Sequence, residues 1–187
     1  MDIHAVIRSR ATGRCLVLLL GLALPQGIAA AQSCSAPVPN GNCPVNTSTT
    51  LTVPDVMQLT LTSTSTALTA PATADYDAGY VANTGPTATV KSNRAWRLQV
   101  SAAAATWTAS NTQPGVNARA NKPAADLQWG TAAGGPFAAL SVAPATAQSG
   151  SATAGAPASF FFHTVYSWGL DTPGAYSLAV VFTLLAP

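Results

Sequence analysis

Tyr176, Leu178, Val180, Phe182 and Leu184 fall on one parity of the final segment, and Ser177, Ala179 and Thr183 fall on the other. Side chains of a strand point alternately to its two faces, so this spacing predicts a β-strand with one large apolar face. Trp96, Leu98 and Val100 alternate in the same way with Arg97, Gln99 and Ser101, which reads as a half-buried strand. Met57, Leu59 and Leu61 share a parity, with Thr60 and Thr62 between and after them. Residues 160–165 form the most apolar internal run and predict a strand covered on both faces. Shorter strands are expected at Leu127–Trp129, at Phe137–Val142 and at Thr87–Val90. Leu51 and Val53 begin another, which Pro54 confines to an edge or a strand end.

Turn chemistry separates these runs. Asp171-Thr172-Pro173-Gly174, Gly134-Gly135-Pro136 and Lys91-Ser92-Asn93-Arg94 mark turns. Residues 109–123 read as a loop, and residues 143–157 are again rich in Ala, Ser, Gly and Pro. Ser63–Thr73 has high β-propensity with Leu68 as its one large side chain. No amphipathic helical period stands out after residue 31. Seven to nine short strands are therefore expected in an all-β chain. The fold this predicts is a single antiparallel β-sandwich, immunoglobulin-like or jelly-roll-like, over residues 51–187.

The N-terminus changes the picture of where this sandwich works. Arg8, Arg10 and Arg14 precede an apolar run from Cys15 to Leu24, and Ala29-Ala30-Ala31 offers small residues before Gln32. A basic region, a short apolar region and an A-x-A site describe a secretory signal peptide over residues 1–31. No other stretch is long enough for a transmembrane helix, so the mature chain is expected to be secreted, at a bacterial cell surface or in a periplasm. Residues 32–50 read as an N-terminal arm, in which Cys34 and Cys43 bracket a Pro/Asn/Gly turn and are expected to form a disulfide.

Charge then narrows the function classes. After residue 31, Lys91, Arg94, Arg97, Arg119 and Lys122 balance Asp55, Asp75, Asp77, Asp126 and Asp171, and there is no glutamate. The basic excess leaves with the leader, so no nucleic-acid partner is implied. With so few charges, ionic contributions to stability are expected to be small. After residue 31 there is a single histidine, His163, and no Gly-x-Ser-x-Gly elbow; this disfavours a hydrolase, and the expectation is a non-enzymatic module without a cofactor. Asp75 and Asp77, in Asp-x-Asp-x-Gly, are a fragment of a calcium loop and the one metal candidate. Tyr76, Tyr80, Tyr166 and Trp168 flank turns, where exposed rings could stack on sugars.

Trp96-Arg97-Leu98, together with the Tyr-led final strand and its terminal Ala186-Pro187, resembles the paired motifs of bacterial WxL surface domains. The position of the second tryptophan is held by Phe182, giving Phe182-Thr183-Leu184. That resemblance implies an exported all-β domain held non-covalently at the envelope, with peptidoglycan or another envelope glycan, or other surface proteins, as partner. It carries the binding role to Trp96 and Leu98 in the first motif and to Phe182 and Leu184 in the second. The leader, the small-residue strands and the Gly-x-Tyr start of the last strand also resemble fimbrial and spore-coat-type subunits. That second resemblance implies a structural subunit assembled by strand exchange, with the 32–50 arm as the candidate donor. Pro37, Pro39 and Pro44 in that arm argue against it.

Overall fold

The computed structural model describes residues 44–187; the expected leader 1–31 and the expected Cys34–Cys43 disulfide lie outside the described residues. Contacts divide the chain at residue 51, and the sandwich belongs to the unit Thr52–Pro187. Its strands are β1 (Met57–Leu61), β2 (Tyr80–Ser92), β3 (Trp96–Ala102), β4 (Thr108–Ser110), β5 (Leu127–Gly130), β6 (Ala138–Ala139), β7 (Ala145–Gly150), β8 (Thr153–Val165), β9 (Ala175–Ser177) and β10 (Val180–Leu185). Among the described residues one α-helix, α1, spans Thr73–Ala78, and a short 3-10 turn spans Ala124–Asp126.

All strand pairs are antiparallel. They form a five-stranded sheet in the order β1-β2-β8-β5-β6, a three-stranded sheet β10-β3-β7, and a small ribbon β4-β9. In spatial order the large sheet's first four members take the positions of strands A, B, E and D of an immunoglobulin constant-type sandwich and β10-β3 those of F and C, while β7, on the other side of β3, has no counterpart there. Tyr176 reinforces the match: at the corner entering this last pair, its hydroxyl donates to Thr172 O at 2.6 Å, as in the tyrosine corner of such folds.

The alternation read from the sequence sets the core. Val90, Ala158, Phe160 and Phe162 from the large sheet meet Trp96, Leu98 and Val100 from β3. Across the two layers Phe160 meets Phe182 edge-on, with ring centroids 4.7 Å apart. Gly85 sits where the β2–β8 register slips, and a Cβ there would lie 2.5 Å from the Phe162 ring, so only glycine admits that ring.

Several expected elements are corrected. The Thr87–Val90 strand is the end of the much longer β2. Residues 143–157, expected as loop, supply β7 and the start of β8; small residues pair there without any large apolar alternation to advertise them. Pro157 is tolerated in β8 because β5 pairs only with residues 161–164, leaving β8 without a neighbour on that side at Pro157. Phe137–Val142 contributes only two paired residues. The final strand is two, β9 and β10, broken at Leu178–Ala179. Helix α1 is a turn and a half long, too short for a hydrophobic period to reveal. The Asp75 carboxylate accepts the Ala72 N–H at 2.7 Å, and Gly79 ends the helix at φ 82°. Leu51 and Val53 start no strand: both stand in extended chain, 87% and 70% exposed, and pairing begins only at Met57.

A cluster of buried charge replaces the expectation that ions matter little. Lys122, 2% exposed, donates to Asp171 Oδ1 at 2.8 Å, Asp126 Oδ2 at 3.0 Å and Val165 O at 2.9 Å. Arg119 bridges the same two carboxylates at 3.0 and 3.1 Å. Four of the ten charges counted after residue 31 thus neutralise one another at one place. They tie the 109–123 loop to the turn that launches β9.

Candidate functional site: an open seam beside the last strand

β10 pairs with β3 along one side, from Val180↔Ala102 to Leu185↔Arg97. Among the described residues no strand pairs with its other side. In a constant-type sandwich that side belongs to strand G. Its backbone N–H and C=O groups are therefore free to pair with an added chain.

Beside this edge the two sheets part around a seam of about 660 Å³. One rim is β10 with Leu178, Val180 and Phe182. The opposite rim is the crossover 62–71, the Ser/Thr/Ala stretch, which forms no strand. That crossover is pinned at both ends: Thr62 N–H donates to Thr87 O at 3.0 Å, and Thr69 N–H to Asn83 Oδ1 at 2.8 Å. Leu68 is its one side chain packed against the core. The floor is Leu127, Phe162 and Thr164.

The seam is apolar along β10 and polar at the far end, where Lys122, Asp171, Tyr166 and Tyr176 line it. Burial pushes the Tyr166 phenol up to about 12, with Tyr76 and Asp171 adding to the effect, so its hydroxyl stays protonated. Burial alone would raise Asp171; hydrogen bonds from Lys122, Arg119 and the Ser167 N–H outweigh it and hold the carboxyl below its ordinary value. One polar atom on the floor has no partner: the Thr164 hydroxyl is buried and makes no hydrogen bond.

The residues picked from the sequence fall in different places. Trp96 and Leu98 are 2% and 0% exposed, so they build the core and have no surface to offer a ligand. The Trp96 indole N–H is spent on Ser151 O at 2.8 Å. Phe182 and Leu184 are half-buried on the inner face of β10, and Phe182 lines the seam. Asp75 and Asp77 do not converge as a calcium pair: Asp75 holds the Ala72 N–H, while Asp77 accepts the Trp168 indole N–H at 3.0 Å. Among the described residues no group of three or more His, Cys, Asp or Glu side chains is placed to hold a metal ion.

His163 lies stacked between Phe137, at 3.6 Å, and Tyr80, at 4.3 Å, and burial lowers its pKa. Trp168 is 62% exposed and stacks on Tyr76 at 4.5 Å. Among the described residues no helix is long and apolar enough to cross a membrane.

The seam escaped sequence reasoning because its lining is ordinary core alternation. Only the strand order shows that, among the described residues, β10 has no second neighbour. No protein-family model and no curated protein matches this chain.

Proposed function

We propose that this chain is a structural subunit of a bacterial cell-surface assembly, and that its sandwich is completed by an extended strand from another chain. The observation that carries the reading is the free edge of β10 beside an apolar seam between the sheets. Strand addition at such an edge draws affinity from main-chain hydrogen bonds and specificity from alternate side chains entering the groove. The leader-like N-terminus supports export, which puts such a subunit outside the cytoplasm. The chemistry on view fits binding better than turnover, since the seam offers hydrogen-bonding backbone and apolar walls rather than a nucleophile beside a base.

The test is light scattering after gel filtration, over a range of concentrations, on the full chain and on Val180→Lys. The lysine stem can lie along the open seam with its ammonium in water, whereas an inserted strand would bury that charge. Growing oligomers that Val180→Lys dissolves support the reading. Oligomers that persist unchanged in this variant contradict it.

A second reading keeps the envelope-glycan partner and moves its site. Trp168, stacked on Tyr76 and oriented by Asp77, is an exposed aromatic platform of the kind on which a sugar ring stacks. Pelleting of wild type with insoluble peptidoglycan, lost in Trp168→Ala, supports this role; equal pelleting of both proteins excludes this platform as the site.

A further inference from the structure

We infer that the Trp168 platform takes a glycan whose sugars carry free amino groups, with the ammonium held beside the indole by the Asp77 carboxylate. This rests on the second reading above and names the chemistry of its ligand.

Trp168 is exposed yet firmly held. Its turn, residues 167–171, closes on itself: Ser167 O accepts the N–H groups of Leu170 at 3.2 Å and of Asp171 at 3.0 Å, and the Ser167 N–H donates to Asp171 Oδ2 at 2.8 Å. Lys122 and Arg119 fix Asp171 in turn, so the buried charge cluster is the footing of this turn. Tyr76 covers one face of the indole, with planes 27° apart, and leans on Tyr166 at 5.5 Å. The Lys122 ammonium lies 5.0 Å from the Tyr166 ring, which joins stack and cluster into one unit. A ring held this way and still 62% exposed has little freedom left to lose when a ligand stacks on its open face.

The carboxylate defines the edge of that face. Asp77 Oδ1 accepts the indole N–H at 3.0 Å, which sets an exposed anionic group at the ring's perimeter. The face of an aromatic ring is its negative side and attracts a cation.

Charge on the rest of the sandwich leaves this end negative. Asp55 pairs with Arg94, and Asp126 and Asp171 pair with Arg119 and Lys122. Among the described residues no Lys or Arg pairs with Asp75 or Asp77. Lys91 and Arg97, the basic groups outside those pairs, belong to the opposite end. Lys91 is about 35 Å along β2 from Tyr80, and Arg97 follows the turn after β2. Tyr80 marks the platform's end, for Tyr166 N–H donates to Gly79 O at 3.0 Å.

This combination sorts glycans by charge. A sugar bearing carboxylate or phosphate is repelled by Asp75 and Asp77. A neutral sugar uses the ring face and leaves the carboxylates unmatched. A hexosamine with a free amine uses both: its axial C–H groups lie on the indole, and its ammonium, at the sugar's perimeter, donates to Asp77 in a charge-assisted hydrogen bond.

The experiment uses the full chain, Trp168→Ala and Asp77→Asn, the latter keeping an oxygen for the indole N–H while removing the charge. The probes are β-1,4-linked hexaglucosamine and its fully N-acetylated counterpart, titrated at neutral pH and low salt by calorimetry. Red-edge tryptophan fluorescence follows the same titrations, because the other three indoles, Trp96, Trp107 and Trp129, are buried and emit to the blue. Circular dichroism and thermal melting confirm that each variant folds. Wild type is expected to bind the amine form about tenfold more tightly than the acetylated form, with the preference shrinking as salt is added. Asp77→Asn is expected to bind the two forms about equally, and Trp168→Ala to bind neither.

Equal binding of both probes by wild type overturns the inference and leaves the platform standing as a site for uncharged sugars. An amine preference that persists in Asp77→Asn, or that survives in Trp168→Ala, also overturns it, because the charge then acts elsewhere on the surface. Binding of neither probe by wild type removes the inference and the platform together.

Discussion

β3 and β10 carry nearly the same alternating pattern and lie side by side in register, yet they end in different environments. On β3, Trp96, Leu98 and Val100 are at most 2% exposed. On β10, Val180, Phe182 and Leu184 face the same core and remain half-buried. The difference is neighbours: β3 is flanked by β10 and β7, whereas among the described residues β10 has β3 alone. Periodicity tells which way a side chain points, and the count of adjacent strands decides how much water it loses. The contrast recurs in polar form. The Lys122 cluster is buried with every partner present, while Thr164, on the floor of the seam, has none.

The largest effects should come from the closed side of that comparison. Leu98→Ala, at a site with no exposure, is expected to destabilise by about 3–5 kcal/mol in urea unfolding. Phe182→Ala in the unassembled chain should lose roughly half as much, because water already reaches the ring. Equal losses would mean that the seam is closed in solution.

Asp171→Asn should cost about 3 kcal/mol, since Lys122 stays buried with Asp126 as its remaining anionic partner. The pH dependence has a definite sign. The folded-state pKa of Asp171 lies below 3.8, so its contribution is present above pH 3.8 and lost as pH falls below that value. Wild type should therefore lose more stability than Asp171→Asn on acidification from about pH 6 to about pH 3. Parallel losses in unfolding titrations would show that Asp171 is not the group responsible.

On the open side the expected changes in folding stability are small and those in assembly large. Val180→Lys should shift the unassembled chain's stability by under about 1 kcal/mol while abolishing oligomers. Trp168→Ala, at an exposed ring, should stay within about 0.5 kcal/mol of wild type, so any loss of glycan binding in it reports on contact rather than on folding.

The sandwich was legible because its central strands declare themselves: the parities of Trp96–Val100 and Tyr176–Leu184 are the parities of the core. Strands built from small residues were not. β7, Ala145–Gly150, holds no large apolar side chain and is specified by its partner β3 rather than by its own pattern. The charge cluster was hidden for a different reason, since Arg119, Lys122, Asp126 and Asp171 converge through folding from loop and turn positions. The seam was the least legible feature. Phe182 looks like any core residue in sequence, and its Trp-x-Leu counterpart Trp96 proved wholly internal.

Hydrogen–deuterium exchange on the full chain, dilute and then concentrated, tests the central claim most directly. The account predicts that concentration slows exchange in the β10 segment 178–185, while the equally exposed edge β7 is unchanged. Exchange at 178–185 that is slow when dilute and indifferent to concentration would contradict it, for the edge of β10 would then be satisfied within the single chain.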